Sequence, residues 1–508
     1  MAKRDDHFMK TTTFATLIDH HAYVRPDSIA IVDYDISITY RQLAAMAVNA
    51  SVRILQMNRP CAPVVVIGEN SWRTCVLYAA AMWAGLPFVP INNRLTASEI
   101  ERILDILECP RAYTDDMKLI ESSNRYIRLD SLIESVSTTR RRKAPRNSGA
   151  CNCVLFTSGT SGTPKGVMLS HENVLSAAAN AVLHQSLDPS DVVGVALPLF
   201  HTAALHGQLT PAWYAGACVK LLGRWDPDAY AFEMDGSEVT ARLLLPQQWV
   251  DVLERYRPTR ASRLRLPIAA GGSLGSELLE SFQLKLGGPP AFLMGMTEVS
   301  PQMFYMSQEE TGVRDGFVGR PTTWSSVDFR PPRQLDARMP QGYGEICYSG
   351  PLVFQGYWGD PTATKDSFDD DGFFRGGDVA YVDSAGYVRI VDRLKDVVRS
   401  GGETVYTGEV EAVLVKHPEI AEIAVVGLPH PKWGEGVTAV VVAAGDHPPT
   451  LEKLQEFCRG QLAGYKKPVT LIIVDSLPRN STGKVLKRDL RSKIYRDRVA
   501  GVETDNAR

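Results

Sequence analysis

The sequence predicts a two-domain α/β protein, with a large N-terminal domain of largely parallel sheets and a small C-terminal α/β unit. Three observations carry this expectation. Short apolar, β-rich runs alternate with helical ones through the first half of the chain, as a parallel sheet with crossover helices requires. After Arg393 the texture changes, and a new series of helices and strands begins. At 508 residues the chain is also too long for a single core.

In chain order, residues 63–68 read as a strand, 71–84 as a helix and 86–91 as a strand. Val154, Leu155 and Phe156 read as a buried strand, and 192–197, 219–222 and 243–245 continue the parallel pattern. Glycines, acids and turns dominate from 342 to 386, which predicts hairpins at 344–349 and 386–391. Beyond the texture change, 409–417 reads as a helix, 423–427 and 437–443 as strands, 451–462 as a helix and 469–474 as a strand. The domain boundary falls near Lys395, and the polar end of the chain from about Asp497 is expected to fray.

Composition narrows the function. Hydrophobic content of 44% and charged content of 22% are those of a soluble globular protein. A net charge of −3 gives no electrostatic reason for a nucleic-acid partner. The basic run Arg140-Arg141-Arg142-Lys143 lies in a polar stretch and reads as a solvated connector rather than a binding patch. Eight cysteines are too few for a disulfide framework, and Cys151-Asn152-Cys153 lacks a second pair to complete a zinc site. The charged N-terminus has no apolar signal core, and the most apolar stretch, 76–89, is too short to span a membrane and is interrupted by Gly85 and Pro87. A cytoplasmic protein with reduced thiols is expected.

The chemistry concentrates in six segments. Thr157-Ser158-Gly159-Thr160-Ser161-Gly162-Thr163-Pro164-Lys165-Gly166 follows the buried strand directly. It offers backbone N–H groups, hydroxyls and an ammonium, the donors that cradle phosphates. It is not a Walker A loop, because Pro164 stands where that motif needs glycine; a flexible linker is the competing reading. Met294-Gly295-Met296-Thr297-Glu298 ends an apolar run with a hydroxyl and a carboxylate, hard oxygen ligands that suit Mg²⁺. Gly376-Gly377-Asp378 can present a carboxylate to a ribose diol or simply stabilise a turn. Asp392-Arg393-Leu394-Lys395-Asp396 is either a solvated face or a phosphate or ribose contact. Ser400-Gly401-Gly402-Glu403 allows close approach of a ligand or forms a plain tight turn. Lys484 lies in a Pro/Gly loop, where a lysine is either solvated or able to neutralise charge developing on phosphate.

Taken together, the order and spacing of these segments resemble the adenylate-forming superfamily of acyl-CoA synthetases, peptide-synthetase adenylation domains and luciferases. The resemblance runs from about Thr13 to Arg491. It includes Pro198-Leu199-Phe200-His201, Gly271-Gly272-Ser273-Leu274, Val318-Gly319-Arg320-Pro321, Gly344-Glu345-Ile346, Gly356-Tyr357-Trp358 and Tyr465-Lys466-Lys467-Pro468.

The resemblance implies a large AMP-binding domain over 1–393 that includes a distorted β-barrel, and a small C-terminal domain over 394–508 that rotates about a hinge near Lys395. It implies two reactions. A carboxylate attacks the α-phosphate of ATP to give an acyl-adenylate and pyrophosphate, and a thiol then displaces AMP. By position, Thr157, Ser158, Gly159, Thr160 and Lys165 would hold the β- and γ-phosphates, with Glu298 and Thr160 on Mg²⁺ and Thr297 on the α-phosphate. Gly271, Gly272, Ser273 and Met294 would line the adenine slot. Asp378 would bind the ribose hydroxyls with Arg393 beside it. Lys484 would bridge acid and α-phosphate, and His201 would close the acyl pocket. Gly401 and Gly402 would line a pantetheine tunnel with Trp433 near its mouth.

CoA is the expected thiol; an amine acceptor or a carrier-protein thiol are the alternatives. A catalytically silent nucleotide sensor is disfavoured by the complete set Thr160, Glu298, Asp378, Arg393 and Lys484. Three positions depart from the resemblance: Met294 replaces an adenine-stacking aromatic and is expected to weaken nucleotide affinity. Asp392 replaces a glycine before Arg393, and Thr407 replaces a proline. The residues expected around the acid (201–207, 245–249, 269–272 and 299–304) are mostly small, apolar or aromatic, which favours an apolar acyl group of modest size.

Overall fold

A computed structural model describes residues 12–58, 62–133, 147, 149–157, 164–272, 274–314, 316–332, 341–400, 403–479, 485–492 and 494. They form two compact units, 1–327 with 348–374, and 328–347 with 375–508.

The first unit carries two sheets. In one, the strands Ala291–Met294, Leu266–Ala270, Ala241–Leu244, Val192–Val195, Cys218–Leu221 and Ile29–Asp33 lie side by side and parallel. Antiparallel strands close both margins, Phe304–Met306 and Arg320–Pro321 on one side and Ile36–Thr39 on the other. In the other sheet Cys151–Thr157, Phe88–Ile91, Val64–Ile67, Ala112–Thr114 and Tyr126–Arg128 are parallel. Lys165–Ser170 and Gly356–Tyr357 extend it antiparallel.

Local chemistry sets the crossover helices. The Ser71 hydroxyl accepts the Thr74 N–H at 3.2 Å at the start of Trp72–Ala84, and Gly85, at φ 72°, ends that helix in the left-handed conformation. Nearly every side chain from Thr74 to Trp83 is buried, as expected of a helix that is apolar on all sides. The most apolar stretch of the sequence is thus an internal helix and the strand after it. No described helix is long and apolar enough to cross a membrane. Val65, Ile67, Val89 and Ile91 pack with Ile100, Ile103 and Leu104 of the helix Ala97–Ile106 into one core cluster.

The second unit is built on the antiparallel hairpin of Phe374–Val382 with Val388–Arg393 and on a further sheet. The hairpin belongs to a sheet ordered Ser326–Arg330, Tyr343–Ser349, Phe374–Val382, Val388–Arg393. The expected distorted barrel is not closed among the described residues. Ser326–Arg330 and Val388–Arg393 are the two outer strands, and closure would need them to pair with each other. In the further sheet, Gly434–Ala443 lies between Ile420–His430 and Thr470–Ile473. The helices Thr407–Leu414 and Leu451–Phe457 cover this sheet through Val410, Leu414 and Leu454, with Cys458 just beyond the second helix. The second helix is shorter than the sequence predicts, because turns replace it from Cys458 and Gly460 adopts φ 78°.

Candidate active site

In the first unit, the candidate site residues come off the carboxyl ends of neighbouring parallel strands. Val192–Val195 leads to His201, Ala241–Leu244 to Leu245, Leu266–Ala270 to Gly271 and Gly272, and Ala291–Met294 to Thr297 and Glu298. These strands are adjacent in the sheet, so segments far apart in sequence reach one edge, the usual ligand side of an open α/β sheet. Met294 is the last residue of its strand, and Gly271 and Gly272 are exposed. Ser273 lies outside the described residues.

The strands on either side of the expected phosphate-binding segment pair with each other. Cys151–Thr157 runs antiparallel to Lys165–Ser170, with Thr157 opposite Lys165 and Phe156 opposite Gly166. Ser158, Gly159 and Thr160 lie outside the described residues. Close approach explains the glycine at 166: a Cβ there would sit 2.8 Å from Val154 Cγ1 and 3.2 Å from both Phe156 Cζ and Trp358 Cβ. The absence of a side chain lets Gly356–Tyr357 pair alongside, with Tyr357 opposite Val167 and the Trp358 N–H donating to Gly166 O at 2.7 Å. As a result Lys165 Nζ stands 4.6 Å from the centroid of the Tyr357 ring, within cation–π range.

Glu298 reaches the same tyrosine. After Met294 the chain turns so tightly that a Cβ on Gly295 would lie 2.4 Å from Ser300 O. Met296 N–H donates to that oxygen at 3.2 Å, and Ser300 adopts φ 70°, ψ 164°. A non-glycine residue in this region costs about 1–3 kcal/mol and persists only where the surroundings hold it. Here the Ser300 hydroxyl donates to Leu352 O at 3.2 Å, and the Phe354 N–H donates to Glu298 O at 2.8 Å. The Tyr357 hydroxyl donates to Glu298 Oε1 at 3.2 Å. Burial, reinforced by the Glu298 charge, raises the Tyr357 pKa well above the usual phenol value, so the phenol stays a donor. Tyr357 thus links Lys165 to the candidate metal carboxylate. Its Gly-Tyr-Trp motif is legible in the sequence, but nothing local to that motif assigns the phenol a role.

His201 lies at a turn, its N–H donating to Pro198 O at 2.9 Å, with its ring 4.6 Å from that of Phe200. Its Nε2 is buried with no hydrogen-bond partner among the described residues. Burial, helped by the Arg94 charge, lowers its pKa to about 4, so the imidazole is neutral near pH 7. His206, in the π-helical turn Leu205–Leu209, is buried 3.5 Å from Cys153 Sγ, and burial lowers its pKa to about 3.

In the second unit, Asp378 and Arg393 face each other across the hairpin register. Arg393 Nε lies 2.7 Å from Asp378 Oδ1. Asp378 is 2% exposed, and its Oδ2 is buried without a hydrogen-bond partner among the described residues. A buried carboxylate oxygen of this kind suits a ligand hydroxyl donor. Trp433 is 38% exposed with Lys432 Nζ 4.5 Å from its ring centroid. Gly401, Gly402 and Lys484 lie outside the described residues.

Among the described residues no group of three or more His, Cys, Asp or Glu side chains could hold a metal ion. A Mg²⁺ ion on Glu298 would therefore complete its shell with phosphate oxygens and water, its habit at nucleotide sites.

The open parallel-sheet edge with its hairpin and the Glu298 carboxylate in the first unit, and the buried Asp378 carboxylate in the second, are the groups expected of a nucleotide-dependent activating enzyme. The chain belongs to the AMP-binding enzyme family, whose profile matches residues 18–358; that of the AMP-binding enzyme C-terminal domain matches 409–484. It is 31% identical over 483 residues to feruloyl-CoA synthase of Amycolatopsis sp, covering 93% of this chain and 97% of that one. It is 31% identical over 504 residues to indoleacetate–CoA ligase of Aromatoleum aromaticum, covering 94% and 98%. Its fold is similar to that of o-succinylbenzoate CoA synthetase from Bacillus subtilis in complex with its acyl-adenylate intermediate. There the TM-score is 0.82 at 28% identity, covering 94% of this chain and 97% of that one. The same synthetase has also been solved with ATP and a magnesium ion. The chain is an AMP-forming acid–thiol ligase of the acyl-CoA synthetase class; ATP and Mg²⁺ are typical of these enzymes, and CoA is the co-substrate of its relatives.

Proposed function

We propose that this ligase activates an apolar carboxylic acid of modest size, with an aryl acid as the first choice, and transfers it to CoA. The Lys165–Tyr357–Glu298 constellation carries the adenylation half of this reading. The acid class is supported by the small, apolar and aromatic character of residues 201–207, 269–272 and 299–304, and by the aryl acids named in the two relatives. Trp249, expected beside the acid, is fully buried against Phe282 with its indole N–H on Ile268 O at 2.8 Å. It acts as core support rather than as a substrate contact.

The first step brings two anions together. The acid's carboxylate oxygen bonds to the α-phosphorus, and the bond to the β-phosphate bridging oxygen breaks. Lys165, with Thr157, Ser158, Gly159 and Thr160, grips the leaving pyrophosphate, and its positive charge lowers the cost of approach. Thr297 orients the α-phosphate, while Glu298 and Thr160 would hold Mg²⁺, which would neutralise phosphate charge. Asp378 Oδ2 accepts the ribose hydroxyls, Arg393 fixes the Asp378 carboxylate from its other oxygen, and Gly271, Gly272, Ser273 and Met294 receive adenine. Lys484 neutralises charge at the reacting oxygens. His201, neutral near pH 7, walls the acyl group without trapping the carboxylate as an ion pair.

In the second step the CoA sulfur attacks the acyl carbon and AMP departs. The domain over 394–508 turns about Lys395 between the two steps, with Gly401, Gly402 and Trp433 on the pantetheine path. The enzyme works in the cytoplasm, where CoA and reduced thiols are available.

The test is pyrophosphate release with ferulate, indoleacetate, hexanoate, palmitate and malonate, followed by thioester detection with CoA. The aryl acids are expected to give the highest kcat/KM. A preference for palmitate or malonate overturns the acid class. Amide formation with amino acids, or loading of a carrier-protein thiol, without a CoA thioester overturns the acceptor.

A further inference from the structure

The two departures beside the pivot, Asp392 and Thr407, meet each other. Asp392 lies in Val388–Arg393 and is 8% exposed, while Thr407 opens the helix Thr407–Leu414 and is fully buried. The Thr407 N–H and hydroxyl both donate to Asp392 Oδ2, the hydroxyl at 2.8 Å. Asp392 Oδ1 accepts the Arg393 N–H at 2.7 Å. A proline at 407 would have neither donor, and a glycine at 392 would have no acceptor. The two departures are therefore the two halves of one contact.

Lys487 completes it. Its Nζ donates to Thr407 Oγ1 at 2.8 Å and pairs with Glu411 Oε1 at 2.7 Å, which also accepts the Val425 N–H at 2.6 Å. Burial raises the pKa of both Asp392 and Glu411, and the Lys487 charge opposes that rise. A buried network of this kind tolerates one geometry, because separating its members strands a charge. The backbones are in direct contact as well: a Cβ on Gly408 would lie 2.5 Å from Val391 O. One helical turn beyond Lys487, Arg491 Nη1 donates to Lys395 O at 3.1 Å, and Nη2 pairs with Asp396. Asp392 precedes Lys395 in the chain; Thr407, Glu411 and Lys487 follow it. Rotation about Lys395 has to pull the acceptor away from its donors.

We propose that Asp392, Thr407 and Lys487 form a latch across the Lys395 pivot, positioning residues that hold one domain arrangement and release it for the other half-reaction. This rests on the hinge reading above. The latch sets the balance between the two steps without touching substrate.

Hydrogen exchange of the full-length chain, read by mass spectrometry, tests it without any substrate. The Thr407 N–H is expected to exchange at least about tenfold faster than the amides of Gly434–Ala443, because it opens without global unfolding. Asp392→Gly is expected to speed it about a further tenfold, within the usual range of coupling between sites. Asp392→Asn keeps an acceptor oxygen and is expected to have a smaller effect, which guards against an unfolded glycine variant. Exchange at Thr407 as slow as in Gly434–Ala443, or unchanged in both variants, overturns the latch. Lys395→Pro separates latch from hinge. Slower exchange at Thr407 supports both, whereas acceleration by Asp392→Gly with no slowing by Lys395→Pro keeps the latch and moves the pivot elsewhere.

Discussion

Replacing Asp378 by alanine tests the nucleotide site most directly. Asp378 presents two oxygens with different duties: Oδ1 is held by Arg393 Nε at 2.7 Å, and Oδ2 is buried without a hydrogen-bond partner among the described residues. If Oδ2 receives the ribose, the alanine variant loses a hydroxyl-to-carboxylate hydrogen bond worth about 1.5–3 kcal/mol. At about 1.4 kcal/mol per tenfold, the KM for ATP rises by about 10- to 150-fold. The ribose does not react, so the contact stabilises ground and transition states alike, and kcat should change by no more than about threefold. Losing the ion pair costs little stability, because the Arg393 side chain is one-third exposed and can return to water. The assay is steady-state pyrophosphate release with ATP and with 2′,3′-dideoxy-ATP. The wild type should discriminate strongly between the two, and Asp378→Ala should barely discriminate. A variant that keeps wild-type discrimination, or that loses kcat at unchanged KM, refutes the ribose assignment.

Three further outcomes are expected. Tyr357→Phe keeps the ring beside Lys165 but removes the hydroxyl 3.2 Å from Glu298 Oε1; kcat should fall about tenfold, as for one lost hydrogen bond to a charged group. A Mg²⁺ titration should also shift to higher concentration, and an unchanged titration removes any role of Tyr357 at the candidate metal carboxylate. Burial lowers the pKa of His171 and His201 to about 4 and of His206 to about 3, from 6.5. Each folded pKa lies below the unfolded value, so their contribution is complete above about pH 6.5 and is lost as pH falls from there towards about 4. Urea midpoints should drop across that window, and His206→Gln should flatten the drop; equal slopes would show that His206 does not titrate on unfolding. Finally, Lys484→Ala should abolish pyrophosphate release yet largely spare thioester formation from supplied acyl-adenylate, and equal loss of both steps would make that lysine structural.

Much of the frame is legible in local sequence. The helix Trp72–Ala84 and its flanking strands follow from apolar period, a serine cap and a glycine stop, all set by residues within a few positions of one another. The ordered series of phosphate, carboxylate and glycine segments points to adenylation through its resemblance to the adenylate-forming superfamily, since each segment alone also fits a linker, a turn or a solvated face. Barrel closure is not legible in this way: hairpin-rich texture predicts strands but not whether the first pairs with the last.

What the sequence alone determined is therefore the class of enzyme, through that resemblance, and a set of candidate reactive groups. Tertiary pairing decided which of these groups meet. Tyr357 lies far along the chain from both Lys165 and Glu298, and only the antiparallel pairing of Gly356–Tyr357 with Lys165–Ser170 brings them to one phenol. Asp392 and Thr407 read as two unrelated departures until the helix start docks on the strand and makes them donor and acceptor. Residue type and short-range period are properties of neighbours in sequence. Hydrogen-bond partnership depends on distances of about 3 Å, which only the register of remote segments can set.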